Sequence, residues 1–399
     1  MNYREDYPML NSGIIYFDNG ATTFKPKCVI DSMNEYYTEY CANAHRGDYD
    51  ISLKVDMAFE GVRDKVKDFI GASSREEIIF TKGTTESLNM IALGFFANIL
   101  ESGDEVLITE SEHASNILPW YKLAREKGIV IKFIPLDNTF HLTLSNLKKS
   151  ITSKTKVISI AEITNVVGDL RNIKEITEYA HSKGVFVVVD GAQSVAHKKT
   201  NVTDTDIDFL AFSAHKMCGP TGVGVLYGKK ELLEELDPLY TGGGMNESFD
   251  TIDEVYYKDL PLRLEAGTQN IAGIIGLGSA IDYLNSIGMD NIGYIEQQLS
   301  KYLIDGLSKI KHIDIINMEP DSGIVSFNVS GIFAQDVAVY LNKYNIYVRA
   351  GNHCAKILKN AIGVKNTVRI SLYFYNTKSE IDKLIDLLKD KDKIIKEMI

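Results

Sequence analysis

Short apolar runs alternate with helix-like stretches through most of the chain, and this alternation constrains the fold more than any other feature. The runs with the length and composition of buried strands are residues 77–80, 105–109, 129–134, 156–160, 185–189, 207–211 and 223–226. Helical patterns lie between several of them, over residues 85–100, 115–127 and 173–183. Alternation of this kind predicts an α/β fold with a mostly parallel, seven-stranded sheet between helices. Ligands of such sheets bind outside the carboxyl ends of the strands.

The pattern changes near residue 290, where the strict alternation ends. The later stretches are helical over residues 271–286, 291–310, 334–344 and 378–389, and strand-like over residues 313–317, 323–329 and 368–372. We interpret this part as a second, smaller α+β domain. The predicted division is a large domain over residues 16–289 and a small domain formed by residues 1–15 and 290–399.

Charge and cysteine content exclude several classes of protein. The 399 residues include 43 Lys and Arg against 54 Asp and Glu, a net charge of -11 that argues against nucleic acid or an anionic membrane as the main partner. No apolar run is long enough to span a bilayer, and the polar start of the chain is unlike a signal peptide. The four cysteines are widely spaced, which indicates neither a zinc site nor a disulfide framework. We therefore expect no metal, free thiols and a cytoplasmic location.

A carboxylate and a lysine follow two neighbouring predicted strands. Asp190 ends one apolar run, and Lys216 lies just after the next, in a run that also contains Ser213 and His215. An enzyme that uses pyridoxal phosphate (PLP) needs this pair, because the lysine amine forms a Schiff base and the carboxylate keeps the pyridine nitrogen protonated. Gln193 could bond the ring hydroxyl. The alternative is a surface turn with solvated charges.

Two further features could serve such a cofactor. Thr84 and Thr85 follow a predicted strand and open a helix, where free amides and hydroxyls can hold a phosphate. An ordinary helix cap explains them about equally well. His113 lies just past another strand and could stack on a planar cofactor or move protons, although a single histidine is more often structural.

The last third of the chain contains a candidate nucleophile and two candidate anion-binding residues. Cys354 lies in a polar, Gly-containing loop beside His353 and near Arg349, neighbours that could favour its thiolate. A small half-buried side chain is the ordinary fate of a free cysteine. Arg349 and Arg369 could hold a substrate carboxylate in bidentate fashion, or could equally pair with carboxylates of the protein.

These motifs together resemble one known family. They are residues 16–23 (YFDNGATT), 45–47 (HRG), 83–86 (GTTE), 112–113 (EH), 190–193 (DGAQ), 213–216 (SAHK), 265–268 (EAGT) and 349–355 (RAGNHCA). The set is similar to that of the cysteine desulfurases of class V aminotransferase fold, above all the Suf-type group, which includes selenocysteine lyase-like enzymes. The motifs cover nearly the whole chain.

The resemblance implies a PLP-dependent homodimer of fold type I that turns L-cysteine into L-alanine. The residues it implies at the cofactor are Lys216 (Schiff base), Asp190 (pyridine nitrogen), Gln193 (ring hydroxyl), His113 (stacking) and, at the phosphate, Thr84, Thr85, Ser213, His215 and Thr268 of the partner subunit. Asn165, Arg349 and Arg369 would hold the substrate carboxylate, and Cys354 would take the sulfur as a persulfide. The implied role is iron–sulfur cluster assembly, with a sulfur-acceptor or scaffold protein as partner.

The chain departs from the family pattern at Tyr49, Glu162, Asn352 and Lys356. The first two stand where the family often has histidine, and the last two change the cysteine motif. These changes leave the residues of the PLP motifs untouched and bear on proton delivery near the substrate and on the identity of the sulfur acceptor, because an acceptor must dock at the cysteine loop. Three alternatives stay open on the sequence: a selenocysteine lyase, an aminotransferase or epimerase that does not use Cys354, and a non-catalytic scaffold.

Overall fold

The computed structural model describes residues 3–252 and 254–398. Within these residues the strands are β1 (Ile15–Tyr16), β2 (Ile78–Thr81), β3 (Glu105–Thr109), β4 (Val130–Ile134), β5 (Thr155–Ala161), β6 (Phe186–Asp190), β7 (Phe209–Ser213), β8 (Gly224–Gly228), β9 (Asn246–Phe249), β10 (Val255–Tyr257), β11 (Ile313–Ile315), β12 (Ile324–Val329), β13 (Ile346–Tyr347), β14 (Arg349–Gly351) and β15 (Thr367–Ser371).

The α-helices in the described residues are α1 (Lys27–Glu39), α2 (Asp50–Ile70), α3 (Thr84–Met90), α4 (Ala97–Ile99), α5 (Leu118–Lys127), α6 (Leu144–Ser150), α7 (Ile173–His181), α8 (Ser194–His197), α9 (Val202–Thr205), α10 (Lys230–Glu234), α11 (Ile271–Ile287), α12 (Met289–Leu307), α13 (Ala334–Asn342), α14 (Lys359–Ile362), α15 (Lys378–Leu388) and α16 (Lys391–Met398). A π-helical segment, Ile91–Phe96, joins α3 to α4, so that one continuous helix follows β2.

The seven strand-like runs of the sequence form one sheet, in the order β2-β8-β7-β6-β5-β3-β4. Strands β3 to β7 are parallel, and β8 alone is antiparallel to both of its neighbours. Every residue of β3, β7 and β8 is buried, as expected when helices cover both faces of a sheet. The predicted α/β fold with a mostly parallel sheet is therefore confirmed.

The order of strands brings the ends of several elements together at one edge of the large sheet. β6 ends at Asp190 beside β7, which ends at Ser213, and a 3₁₀ turn carries the chain on to Lys216. β2 ends at the same edge, because it is antiparallel to β8, which is itself antiparallel to β7. The backbone at Gly83 passes so close to Gly224 that a Cβ on Gly224 would lie 2.3 Å from the Gly83 Cα.

A four-stranded antiparallel sheet, in the order β11-β12-β15-β14, lies in the C-terminal part of the chain. Helix α11 contributes to the core of the large sheet. Helix α12 contributes to the same core at its start, through Met289 and Ile292, and to the core of the small sheet over the rest of its length. The two helices meet at Gly288 with a bend of 73°. Near the N-terminus, Tyr7 packs in the first core and Ile15 in the second. The division into two domains at about residue 290 is kept as a proposal.

Among the described residues, no single helix has both the length and the apolar composition needed to cross a membrane. Only the bent pair α11 and α12 meets that criterion, and only when the two helices are taken together.

Candidate active site

A cavity of about 190 Å³ opens at the carboxyl edge of the large sheet, where the loop after β14 approaches it. The predicted site residues that line it are Thr84, Thr85, His113, Asn165, Asp190, Gln193, Ser213, His215, Lys216, Arg349, Cys354 and Arg369. Thr268 is exposed and lies outside the lining of this cavity. Residues separated by up to 285 positions in sequence thus share one small space.

Lys216 and Asp190 lie in the interior of this site, and burial alters the pKa of both. Burial lowers the pKa of the Lys216 amine to about 8, an effect that Asp190 opposes and that Arg369 and Arg349 reinforce. Burial also raises the pKa of the Asp190 carboxyl to about 6, although its Oδ1 accepts a hydrogen bond of 2.9 Å from the Ala192 amide. A buried carboxylate of this kind is stabilised by a cationic ring nitrogen beside it.

Hydroxyl and amide groups meet at the start of α3. The Ser213 Oγ accepts a hydrogen bond of 2.8 Å from the Thr84 amide and lies 2.7 Å from the Thr84 Oγ1. The Thr85 hydroxyl lies 2.7 Å from that of Ser115. His215 lines the same region, and burial together with the charge of Lys216 lowers its pKa to about 4. The start of a helix flanked by such groups can hold the phosphate of a cofactor.

His113 is held as a neutral imidazole with one defined tautomer. Its Nδ1 accepts a hydrogen bond of 3.2 Å from the Ser115 amide, and the Ser115 hydroxyl lies 3.1 Å from the same nitrogen. Burial, followed by the charges of Lys216 and the two arginines, lowers the pKa of His113 to about 4. The proton therefore resides on Nε2, so that Nε2 can donate a hydrogen bond.

A buried ion-pair network fixes the loop that carries His113, and the sequence analysis did not identify it. The Glu112 carboxylate accepts hydrogen bonds from Arg171 at 2.6 Å, from the Ala161 amide at 2.7 Å and from the Asn116 side chain at 2.9 Å. Arg171 also pairs with Asp169 at 3.1 Å. Glu112 follows the end of β3 and Ala161 ends β5, so the network ties the ends of two adjacent strands together. In the sequence, the only sign of this network was the Glu112-His113 dipeptide.

Two arginines face each other across β14 and β15. Arg349 and Arg369 are paired in register, an arrangement of like charges that is unfavourable without an anion. Arg369 is fully buried and donates to Asp18 at 2.7 Å and to the Asn165 carbonyl at 2.9 Å. The alternative of an ion pair within the protein is thus realised for Arg369, while Arg349 faces the cavity as well and retains the capacity to bind a carboxylate.

Cys354 is exposed and sits at the mouth of the cavity. The Arg349 Nη2 donates to its sulfur at 3.7 Å. Cys354 and the preceding His353 both adopt left-handed backbone angles, with φ of 58° and 51°. The Ala114 amide donates to the Cys354 carbonyl at 2.8 Å, and the Asn165 side chain donates to the His353 carbonyl at 2.7 Å. Two other segments of the chain therefore hold this strained loop in place.

Unpaired polar atoms around the cavity show that it is suited to bind a polar ligand. In the part of the chain that the structure describes, the buried Gln193 Oε1, Asn165 Oδ1 and His353 Nδ1 have no hydrogen-bond partner. The Gln193 amide nitrogen is occupied by the Gly20 carbonyl at 2.9 Å, which leaves its oxygen available. Buried polar atoms are normally paired, so these atoms, together with Asp190 and Lys216, fit a planar polar cofactor such as PLP.

The structure separates the departures from the family pattern into two groups. Glu162 points away from the cavity and pairs with Lys198, so its carboxylate does not face the substrate space. The reason is the alternation of side chains near the end of β5: Ala161 and Ile163 line the cavity, and Glu162 lines a separate one. Tyr49 and Lys356 are both exposed.

The comparisons with known proteins agree with this geometry. Residues 15–384 match the model of the family described as aminotransferase class-V. A probable cysteine desulfurase of Halalkalibacterium halodurans is 42% identical over 95% of this chain and 93% of its own length. A cysteine desulfurase of Haloferax volcanii is 40% identical over 94% of this chain and 88% of its own length.

Two solved structures of similar fold are also named cysteine desulfurases. The apo structure of a cysteine desulfurase from Thermococcus onnurineus is similar with a TM-score of 0.94 and 38% identity, covering 99% of this chain and 98% of that one. The cysteine desulfurase CsdA of Escherichia coli, in an S-sulfonic acid form, has a TM-score of 0.92 and 33% identity, covering 100% of this chain and 98% of that one. The chain belongs to the class V aminotransferase family, and its relatives of this similarity are named cysteine desulfurases.

Proposed function

We propose that this protein is a PLP-dependent cysteine desulfurase, which converts L-cysteine to L-alanine and leaves the sulfur on Cys354 as a persulfide. The observation that carries this proposal is the presence of Lys216 and Cys354 in one cavity. The proposed cofactor residues are those that the resemblance implied, with Asp190 at the pyridine nitrogen, Gln193 at the ring hydroxyl and His113 against the ring.

The roles of the protein's own groups follow from their positions. PLP, when bound, supplies an electron sink that stabilises negative charge on the substrate Cα. Arg349 orients the substrate carboxylate beside Arg369 and Asn165. The Lys216 amine, with its lowered pKa, accepts the proton from the substrate Cα. His113 donates a hydrogen bond through Nε2.

Sulfur transfer is assigned to Cys354. The Cys354 sulfur, which lies 3.7 Å from the Arg349 Nη2, forms a bond to the substrate sulfur while the substrate Cβ–S bond breaks. The electron pair of the broken bond stays on the carbon side, which gains protons and leaves as alanine. The balance needs no external oxidant, because the two electrons that the sulfur atoms give up in forming the S–S bond remain on the substrate Cβ, which is reduced to the methyl group of alanine.

A homodimer is supported by one exposed surface. Leu53 and Met57 lie one turn apart on α2 with 60% and 70% of their surface exposed, an unusual apolar stripe for a surface helix. Thr268 lies near the start of the same helix, because its hydroxyl accepts a hydrogen bond of 3.4 Å from the Asn43 side chain, and the Asn43 carbonyl accepts one from Ser52 of α2. A second copy covering this stripe could receive Thr268 at its phosphate site.

The cellular role we propose is sulfur supply for iron–sulfur cluster assembly in the cytoplasm, where the four free thiols would stay reduced. A sulfur-acceptor protein or assembly scaffold is then the expected partner.

The test is alanine formation from L-cysteine by the PLP-loaded protein in the presence of dithiothreitol. We expect Cys354→Ala to lower the rate by about 100-fold or more, as removal of a nucleophile does. Cys41→Ala is the matched control, since Cys41 is also an exposed thiol and should leave the rate unchanged. Undiminished alanine formation by Cys354→Ala would exclude Cys354 as the sulfur-abstracting group.

A further inference from the structure

Charge is distributed very unevenly along this acidic chain. Residues 337–379 contain neither Asp nor Glu, although the chain has 54 of these residues and a net charge of -11. The basic residues within the stretch are Lys343, Arg349, Lys356, Lys359, Lys365, Arg369 and Lys378. Cys354 lies near the middle of this carboxylate-free segment.

The basic residues of the segment lie in three different environments: at the cavity, in contact with other side or main chains, and exposed at the surface. Arg349 and Arg369 line the cavity. Lys343 contacts the Glu397 carbonyl, and the Lys378 ammonium lies 5.1 Å from the centre of the Tyr302 ring. The remaining three, Lys356, Lys359 and Lys365, are exposed and follow Cys354 directly. We call these three lysines the basic rim.

The basic rim is held rigidly beside the cysteine. Lys356 begins a 3₁₀ turn that leads into α14, and Lys359 begins α14 itself. The turn is anchored because Ala355 and Leu358 are buried against Val166 and Val167. Lys356 and Lys359 are therefore presented by an anchored turn and helix, and Lys365 lies in the short connection between α14 and β15.

The surface on the other side of Cys354 is also short of free carboxylates. The Ala114 amide binds the Cys354 carbonyl, and a groove running from Ala114 along α5 is lined by Leu118, Lys122 and Arg125. Lys122 pairs with Glu126 at 2.8 Å. On the side of the rim, Asp137 lies in the loop that packs below α14, but its carboxylate accepts hydrogen bonds from the Thr139 and His141 amides of its own turn.

We propose that the protein which takes sulfur from Cys354 carries an acidic face around its accepting thiol and docks on the basic rim. This inference rests on the proposed desulfurase function. Opposite charge around two reacting thiols accelerates their encounter and disfavours partners of the wrong charge. The transfer itself is balanced: the partner thiolate bonds to the outer sulfur, and Cys354 leaves as a thiolate.

The test compares two synthetic peptides of equal length with one cysteine each. In the first peptide the cysteine is flanked by Asp and Glu, and in the second by Asn and Gln. The PLP-loaded protein is charged with ³⁵S-labelled L-cysteine, and label transfer to each peptide is measured at low salt and at high salt. We expect transfer to the acidic peptide to be about 10-fold faster at low salt, with most of the difference lost at high salt.

Replacing the three lysines of the basic rim by glutamate tests whether they cause the preference for the acidic peptide. The variant Lys356→Glu/Lys359→Glu/Lys365→Glu should lose the preference for the acidic peptide. The matched control is Lys301→Glu/Lys309→Glu/Lys311→Glu, because these exposed lysines lie in α12 and between α12 and β11, at the edge of the small sheet opposite β14. The control variant should keep the preference, and both variants should form alanine with dithiothreitol at the wild-type rate.

Different experimental results would contradict the proposed docking surface and the proposed desulfurase function. Equal transfer to both peptides by a wild-type protein that forms alanine, or loss of the preference in the control variant, would overturn the basic rim as a docking surface. Absence of alanine formation by the wild-type protein would instead overturn the proposed function.

Discussion

At the scale of single residues, the ionisable side chains of the site are buried, and burial shifts their pKa values in the direction that favours the neutral form. Lys216, Asp190, His113 and Arg369 are ionisable groups placed where water cannot solvate them well, and each has a shifted pKa for that reason. Such groups persist when a ligand or a neighbour compensates the cost of burial. The motifs of the sequence identified these residues, but their partners Glu112, Arg171 and Asp18 became visible only in the folded chain.

The lowered pKa of Lys216 predicts how the protein captures its cofactor. Only the neutral amine reacts with the PLP aldehyde, and a pKa of about 8 means that the neutral form becomes dominant above pH 8. We expect the rate of PLP uptake by cofactor-free protein to rise between about pH 7 and 9, with a midpoint near 8, and to level off above that range. The measurement is the absorbance of the lysine-linked cofactor against time at each pH.

Asp190→Asn provides the comparison for this pH profile. Asp190 raises the pKa of Lys216, so its replacement by a neutral amide should move the midpoint of the profile to lower pH. A midpoint near pH 10 in the wild-type protein, typical of an exposed lysine, would contradict the lowered pKa.

At the scale of elements, hydrogen bonding between strands determined structure that local sequence patterns did not predict, namely strand β14. The seven predicted strands of the large sheet match the observed ones with shifts of one or two residues at their ends, because each is a short run rich in apolar and β-branched residues. Strand β14 had no such signal: Arg349, Ala350 and Gly351 form a strand because β15 pairs with them. That pairing is what sets the two arginines opposite each other.

The position of the segment that leads to Thr268 also depends on contacts between elements. Arg63 of α2 and Glu265 are both buried and pair at 2.8 Å, and the Glu265 carboxylate also accepts from the Phe80 amide of β2 at 2.7 Å. Removing one partner of a buried pair leaves the other charge uncompensated. We expect Arg63→Met to lower the free energy of unfolding by about 3–5 kcal/mol, measured by urea denaturation.

Arg75→Met is the control for that prediction. Arg75 pairs with Glu60 at 3.2 Å but is 41% exposed, so its loss should cost no more than about 1 kcal/mol. A double variant, Arg63→Met/Glu265→Gln, should recover part of the lost stability, since it no longer leaves a buried charge without a partner. Equal effects of Arg63→Met and Arg75→Met would show that burial of the pair is unimportant.

At the scale of the whole molecule, the site is assembled from distant parts of one chain and, by our proposal, from two chains. The cavity lies between the carboxyl edge of the large sheet and the loop that follows β14. Thr268 lies outside the cavity of its own chain and accepts a hydrogen bond from Asn43, whose carbonyl binds Ser52 of α2. The proposed dimer would therefore complete the phosphate site and bury the stripe.

Association can be tested on that stripe. We expect Leu53→Asp/Met57→Asp to produce monomers, because a charge on each apolar side chain opposes burial, and to weaken PLP binding because the phosphate site would lose Thr268 of the partner subunit. The measurement is the molecular mass by sedimentation at micromolar concentration. Tyr294→Asp, an exposed apolar position on α12, is the control and should leave the mass unchanged. A dimer that survives the double substitution would place the interface elsewhere.

The sequence by itself determined the fold class and the chemical groups of the site. Buried strands and helices carry their periodicity in local sequence, and motifs such as residues 213–216 keep reactive groups close together along the chain. The tertiary structure alone decided that Glu162 points away from the site, that Arg349 faces Arg369, and that Ser115 fixes the tautomer of His113. These properties arise from contacts between residues distant in sequence or from the direction of a side chain, and neither is encoded in a local pattern.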